Sequence, residues 1–262
     1  MKPWNIAHRG GAGLWPENTL VAFRDAVARG CDGAELDVQL SRDGEVIVFH
    51  DYRLKPEICR GTDGRFLEKP TPRIKDLSLE GLKTCDVGRA NPASAYARSH
   101  PVMTARDGER IPTLAALFAR VRELGANDIE FDIETKIFPD RPDDTVPPEE
   151  FVAKLLAVIR SAGMNERVMI QSFNWRTLAI VQRVEPGMRT VYLTTQGRGG
   201  GNVADPRWVG GLKLADYPSV AHMVKAAGGR TWAPNFNNVD EARCAAPMRS
   251  ASASSRGPST RR

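Results

Sequence analysis

The feature that most constrains this chain is a regular alternation of strand-like and helix-like segments over 112–236. Apolar residues at helical spacing predict helices over 114–124, 149–162, 174–184 and 218–227. The β-rich runs 128–136, 167–172, 189–195 and 230–235 lie between them and read as strands. Strands that alternate with helices through short linkers require a parallel sheet with helices packed outside it. Nearer the start, 4–8 reads as a short buried strand followed by a Gly-rich turn. Asn18 reads as the N-cap of a helix carrying Leu20, Phe23, Ala26 and Val27, and 34–40 and 45–50 read as extended segments around a turn at 41–44. These make six strand–helix units with no internal repeat. Over 51–111 the periodicity fades into Gly, Pro and charge, which predicts a loop-rich insertion after the second strand.

At 262 residues, 41% hydrophobic and 26% charged, the chain can bury one sizeable α/β core. A (β/α) barrel typically needs about 250 residues, so the length permits one. No apolar run approaches the ~18 residues of a membrane-spanning helix. The start goes into strand-like sequence without an apolar leader, so the expected location is the cytoplasm. Cys31, Cys59, Cys85 and Cys244 are scattered without metal-ligand spacing and read as free thiols. The net charge of +5 is carried by Arg243, Arg249, Arg256, Arg261 and Arg262, and residues 1–242 balance to zero. A neutral body with a basic tail argues against a nucleic-acid partner. From Ala245 the sequence turns to Ala, Ser, Arg, Pro and Gly, which cannot bury enough surface to offset ordering entropy. The expected organisation is a folded unit over 1–243 and a disordered tail over 244–262.

The chemistry-bearing residues sit at the predicted strand ends. His8-Arg9-Gly10 closes the first strand, Glu35-Leu36-Asp37 lies on the second, His50-Asp51 ends the extended segment after it, and Glu134-Thr135-Lys136 ends the third. In a parallel α/β barrel these ends form the active-site face. Glu35 and Asp37 share a side because strand side chains alternate. With Glu134 they make an all-oxygen site suited to a hard divalent cation, Mg2+ or Ca2+. His8 and His50 can serve as an acid/base pair, and Arg9 and Lys136 as phosphate contacts. Such a set suits phosphodiester cleavage, where charge on phosphoryl oxygens must be neutralised.

His8-Arg9-Gly10, Pro16-Glu17-Asn18-Thr19, Glu35-Leu36-Asp37 and His50-Asp51, in this order and spacing, resemble the signature of the glycerophosphodiester phosphodiesterases. Ile133-Glu134-Thr135-Lys136 and Gln171-Ser172-Phe173 resemble later strands of that family, so the likeness covers roughly 5–240. The resemblance implies a TIM-like barrel with an insertion after its second strand. It also implies cation-dependent hydrolysis of small glycerophosphodiesters to glycerol 3-phosphate and an alcohol. By this likeness the substrate's own glycerol hydroxyl attacks first, and water opens the resulting cyclic phosphate. His8 and His50 would exchange protons, Glu35, Asp37 and Glu134 would hold the metal, and Arg9 and Lys136 would meet the phosphate. The family's seventh and eighth strands have no counterpart here after Arg243, so the barrel is expected to lack its last two strands and to be unstable. Two alternatives follow: an inactive fragment of such an enzyme, or a phospholipase D-type lyase of the same fold.

Overall fold

A computed structural model describes residues 3–197 and 201–239. The elements run β1 (Ile6–Ala7), α1 (Leu20–Ala28), β2 (Gly33–Leu40), β3 (Val46–Val48), α2 (Leu79–Lys83), α3 (Ala95–Ser99) and α4 (Leu114–Glu123). They continue with β4 (Glu130–Thr135), α5 (Pro148–Ser161), β5 (Val168–Ser172), α6 (Trp175–Val184), β6 (Arg189–Thr194), α7 (Val220–Ala226) and β7 (Thr231–Pro234). The main sheet is parallel in the order β1-β2-β4-β5-β6-β7, and β3 folds back antiparallel on β2. It curls as part of a barrel. Among the described residues β1 and β7 form its edges.

Alternation along each strand separates two environments. Leu36, Val38, Phe131, Ile133 and Ile170 face outward and join Phe118, Phe151, Leu155, Trp175 and Leu178 of the surrounding helices in one buried cluster. Burying each large side chain of this kind contributes about 1.5–3 kcal/mol, which makes this layer the main source of stability. The opposite face carries polar groups. The register sets Glu35 beside Asp132, Asp37 beside Glu134, and Glu134 beside Gln171, so three neighbouring strands present carboxylates and an amide at one level.

Two expectations change. Thr19, not Asn18, caps α1: its side-chain oxygen accepts from the Ala22 N–H at 3.3 Å. Asn18 is left-handed (φ 57°), a conformation Asn tolerates, and its amide is turned onto Asp37 instead. The 51–111 stretch is also more than loop. It has α2, α3, short bridges such as Arg60↔Asp86, and a second core in which Leu54, Ile58, Cys59, Ile74, Leu82, Cys85, Val87 and Ile111 pack against Ile47 of β3 and Phe49. Its elements are five residues or fewer, too short to show a period in sequence. Cys31, Cys59 and Cys85 are free thiols. Among the described residues no helix is long and apolar enough to cross a membrane. The basic tail, Cys244, positions 198–200 of the Gly-rich loop and the expectation of lost final strands lie outside the described residues.

Candidate active site

The site is built where strands end. β1 stops at Ala7, and His8–Gly10 form a 3-10 turn that throws the next side chains over the sheet. Arg9 is itself left-handed (φ 51°, ψ 35°), an uncommon conformation for a residue with a side chain. Gly10 follows at φ 75°, and a Cβ there would stand 2.9 Å from the Ala22 Cβ, so only glycine lets the turn lie on α1. The turn aims His8 at Glu35, with Nε2 3.8 Å from Oε2, while the Arg9 N–H donates to the same oxygen at 2.9 Å.

Glu35, Asp37 and Glu134 are all buried, and one carboxylate oxygen from each lies within 4.8 Å of the others. Two cations flank them. Lys136 Nζ is 2.7 Å from Glu134 and 3.1 Å from Asp37, and Arg9 Nε is 3.2 Å from Asp37 Oδ2. Asn18 donates to Asp37 Oδ2 at 2.9 Å, and Gln171 donates to Glu35 Oε1 at 3.1 Å. His50 comes from the segment after β3, and its Nδ1 is 2.6 Å from Asp51 Oδ1. His50, Glu134 and Lys136 line a cavity of about 560 Å³ together with Phe138, Phe173 and Trp208.

The three carboxylates do not behave alike. Burial, reinforced by Asp37 and Glu134, pushes Glu35 well above the usual carboxylate range. Burial and Asp37 also raise Glu134, although Lys136 opposes them. Burial would raise Asp37 too, but Lys136, His50 and Arg9 together hold it below its ordinary value. Three acids that cannot all ionise together with only these partners are a site that an added cation would relieve. Asp37 Oδ1 is buried with Lys136 Nζ at 3.1 Å, which leaves it a lone pair for a cation. The donor set therefore fits a hard divalent cation by charge, ligand type and spare lone pairs. Partial desolvation and the neighbouring Arg9 charge lower the His8 imidazole, whose side chain is still 69% exposed. Asp51 would be raised by burial, yet its bond to His50 brings it below the usual range, so it remains a carboxylate able to orient that ring.

All seven residues singled out from the sequence are present at this end of the sheet. Arg9 and Lys136, read there as phosphate contacts, also balance the carboxylates. Asp51 and Gln171 were visible only as parts of motifs, and Glu17 only as part of the turn before α1. Tyr96, which donates to Glu17 Oε2 at 2.6 Å, gave no sequence signal.

Comparison with known proteins places the chain among phosphodiesterases by sequence and fold. A glycerophosphodiester phosphodiesterase of Caldanaerobacter subterraneus subsp. tengcongensis is 34% identical over 193 residues, which are 72% of this chain and 65% of that protein. The chain thus spans about 65% of the length of such curated relatives. A crystal structure from Silicibacter pomeroyi DSS-3, described as a glycerophosphoryl diester phosphodiesterase, superposes with a TM-score of 0.80 at 28% identity, covering 91% of this chain and 78% of its own. An Oleispira antarctica phosphodiesterase solved with sn-glycerol-3-phosphate shares the fold at a TM-score of 0.64 and 22% identity, over 92% of this chain and 78% of its own. The model of the glycerophosphoryl diester phosphodiesterase family matches residues 8–257, a span that holds the histidines, the carboxylate cluster and both cations, and the chain belongs to that family.

Proposed function

We propose that this chain hydrolyses glycerophosphodiesters to glycerol 3-phosphate and an alcohol, with a divalent cation, Mg2+ or Ca2+, held by Glu35, Asp37 and Glu134. The observation that carries the reading is the cluster of three buried carboxylates with His8 Nε2 3.8 Å from Glu35 and His50 lining the same cavity as Glu134 and Lys136. A bound divalent cation would neutralise charge building on the phosphoryl oxygens. The protein's own groups do the rest. His8, beside Glu35 and with its imidazole lowered by partial desolvation and the Arg9 charge, takes the proton from the attacking hydroxyl. The Asp51 carboxylate accepts from His50 Nδ1–H and presents the other ring nitrogen to the cavity, where a protonated His50 gives its proton to the departing alkoxide. Arg9 and Lys136 meet the phosphate oxygens, Arg9 with a planar fork and Lys136 as a point charge. Phe138, Phe173 and Trp208 give the cavity an apolar wall, with room for one arm of the diester.

The test is release of glycerol 3-phosphate from glycerophosphocholine by the purified chain, with Mg2+ or Ca2+, with EDTA, and with His50→Ala. Release that both EDTA and His50→Ala abolish is the expected result. Release that survives chelation would contradict the metal role. A cyclic phosphate that persists would replace hydrolysis with the lyase reading.

A further inference from the structure

The insertion reaches the carboxylate cluster through a relay that the phosphodiesterase reading does not use. Glu17 sits just before α1 with its side chain 3% exposed. Its Oε2 accepts from Arg9 Nη1 at 3.1 Å and from the Tyr96 hydroxyl at 2.6 Å, and its Oε1 lies 3.6 Å from Lys55 Nζ. Tyr96 is on α3 and Lys55 is on the insertion's first loop, so both of these partners belong to the 51–111 segment. They are braced in turn: the Lys55 ammonium stands 4.3 Å from the centre of the Tyr96 ring, and His100 stacks on that ring at 4.2 Å. Burial and Glu17 raise the Tyr96 phenol, which keeps it a donor.

At the other end of the relay Arg9 is 3.2 Å from Asp37. Left to itself, a guanidinium at that distance would occupy Asp37 and repel any divalent cation approaching the same carboxylate. A counter-charge on the far edge of the guanidinium offsets both effects. Glu17 is that counter-charge, and two residues in left-handed backbone, Arg9 and Asn18, fix the turn that brings it there. Strained backbone of this kind persists only where the surroundings over-determine it.

We propose that Glu17, held by Tyr96 and Lys55 of the insertion, is a positioning residue: it neutralises and aims Arg9 so that Asp37 remains available to a divalent cation. This rests on the reading of Glu35, Asp37 and Glu134 as the metal ligands. The insertion is then a structural support for the metal site and not only a decoration of the barrel.

The test is a calorimetric titration of the full chain with Ca2+ and with Mg2+, alongside thermal unfolding and glycerophosphocholine hydrolysis. Glu17→Gln is expected to weaken cation binding roughly tenfold, and Tyr96→Phe, which removes one hydroxyl, roughly threefold. Both losses should vanish in an Arg9→Gln background, because the relay acts through the Arg9 charge. A merely structural Glu17 would lower Tm and leave this dependence on Arg9 absent. The proposal is overturned by wild-type affinity in folded Glu17→Gln, or by the same fractional loss in both backgrounds. If Glu17→Gln does not fold, Tyr96→Phe decides by the same criteria. No cation binding by the unmodified chain would overturn the relay and the metal reading together. Cation binding without hydrolysis would overturn the enzymatic reading alone, and the relay would still be decided by the cycle.

Discussion

Asp132 precedes Glu134 by two residues on β4 and so shares its inward face. Its Oδ1 is buried and has no hydrogen-bond partner among the described residues. Burial, and after it the charge of Glu134, push this carboxyl up to about 7. An aspartate in the unfolded chain titrates near ~3.9, so the folded protein binds a proton here that the unfolded chain has released. The raised value makes the contribution to stability complete below about pH 4, and it is lost as pH rises through about 7. A difference of about three pH units corresponds to about 4 kcal/mol, a large part of a typical domain's total. Asp132→Asn removes the titration with little change in shape and sacrifices no hydrogen bond at Oδ1. Urea unfolding between about pH 4.5 and 8.5, in EDTA so that no cation alters the neighbouring carboxylates, measures the difference directly. The variant should match the parent near about pH 4.5 and exceed it by roughly 2–4 kcal/mol near about pH 8. Two stability curves that run parallel across this range would refute the reasoning.

Three further substitutions test other parts of the account. Asp51→Asn keeps the shape beside His50 but removes the charge that orients and supports the ring, so kcat should fall by roughly 10²-fold or more at unchanged Tm, read by steady-state kinetics. Gly10→Ala puts a methyl 2.9 Å from Ala22 Cβ at φ 75°, and should cost about 1–3 kcal/mol in thermal unfolding while lowering activity, because the same turn carries His8 and Arg9. Phe131→Ala empties a fully buried position behind the sheet and should cost about 3–5 kcal/mol by urea unfolding.

Much of this was legible in the residues themselves. The helices α4, α5 and α6 lie within two residues of the segments predicted from apolar spacing, because each buries one stripe against the sheet and the stripe is written in its period. β4, β5 and β6 likewise lie within two residues of their predicted segments, and in β4 the outward Phe131 and Ile133 alternate with Glu130, Asp132 and Glu134. Glu35, Asp37 and Glu134 were readable because alternation and strand ends fix where they point. Asn18 was misread as a cap because a helix-start signal tells little about which of two neighbouring capping residues takes the role. Thr19 has the extended backbone a cap needs, and Asn18 has the left-handed one that suits a bond to Asp37. The support from Tyr96 and Lys55 was invisible because it depends on how the insertion folds back on the turn before α1, a long-range placement with no local period. Cys59 and Cys85 illustrate the same limit: the sequence marked them as free thiols, while the structure makes them part of the insertion's core.

The central claim is that one divalent cation, held by Glu35, Asp37 and Glu134, is required for cleavage of a glycerophosphodiester. The most direct measurement combines Ca2+ and Mg2+ titration of EDTA-stripped protein with glycerol 3-phosphate release from the same samples, for the unmodified chain and for Glu134→Gln. One cation per unmodified chain is expected, with activity that returns in step with its binding and loss of both in folded Glu134→Gln. Full release from stripped protein, or cation binding and activity that survive Glu134→Gln unchanged, would contradict it.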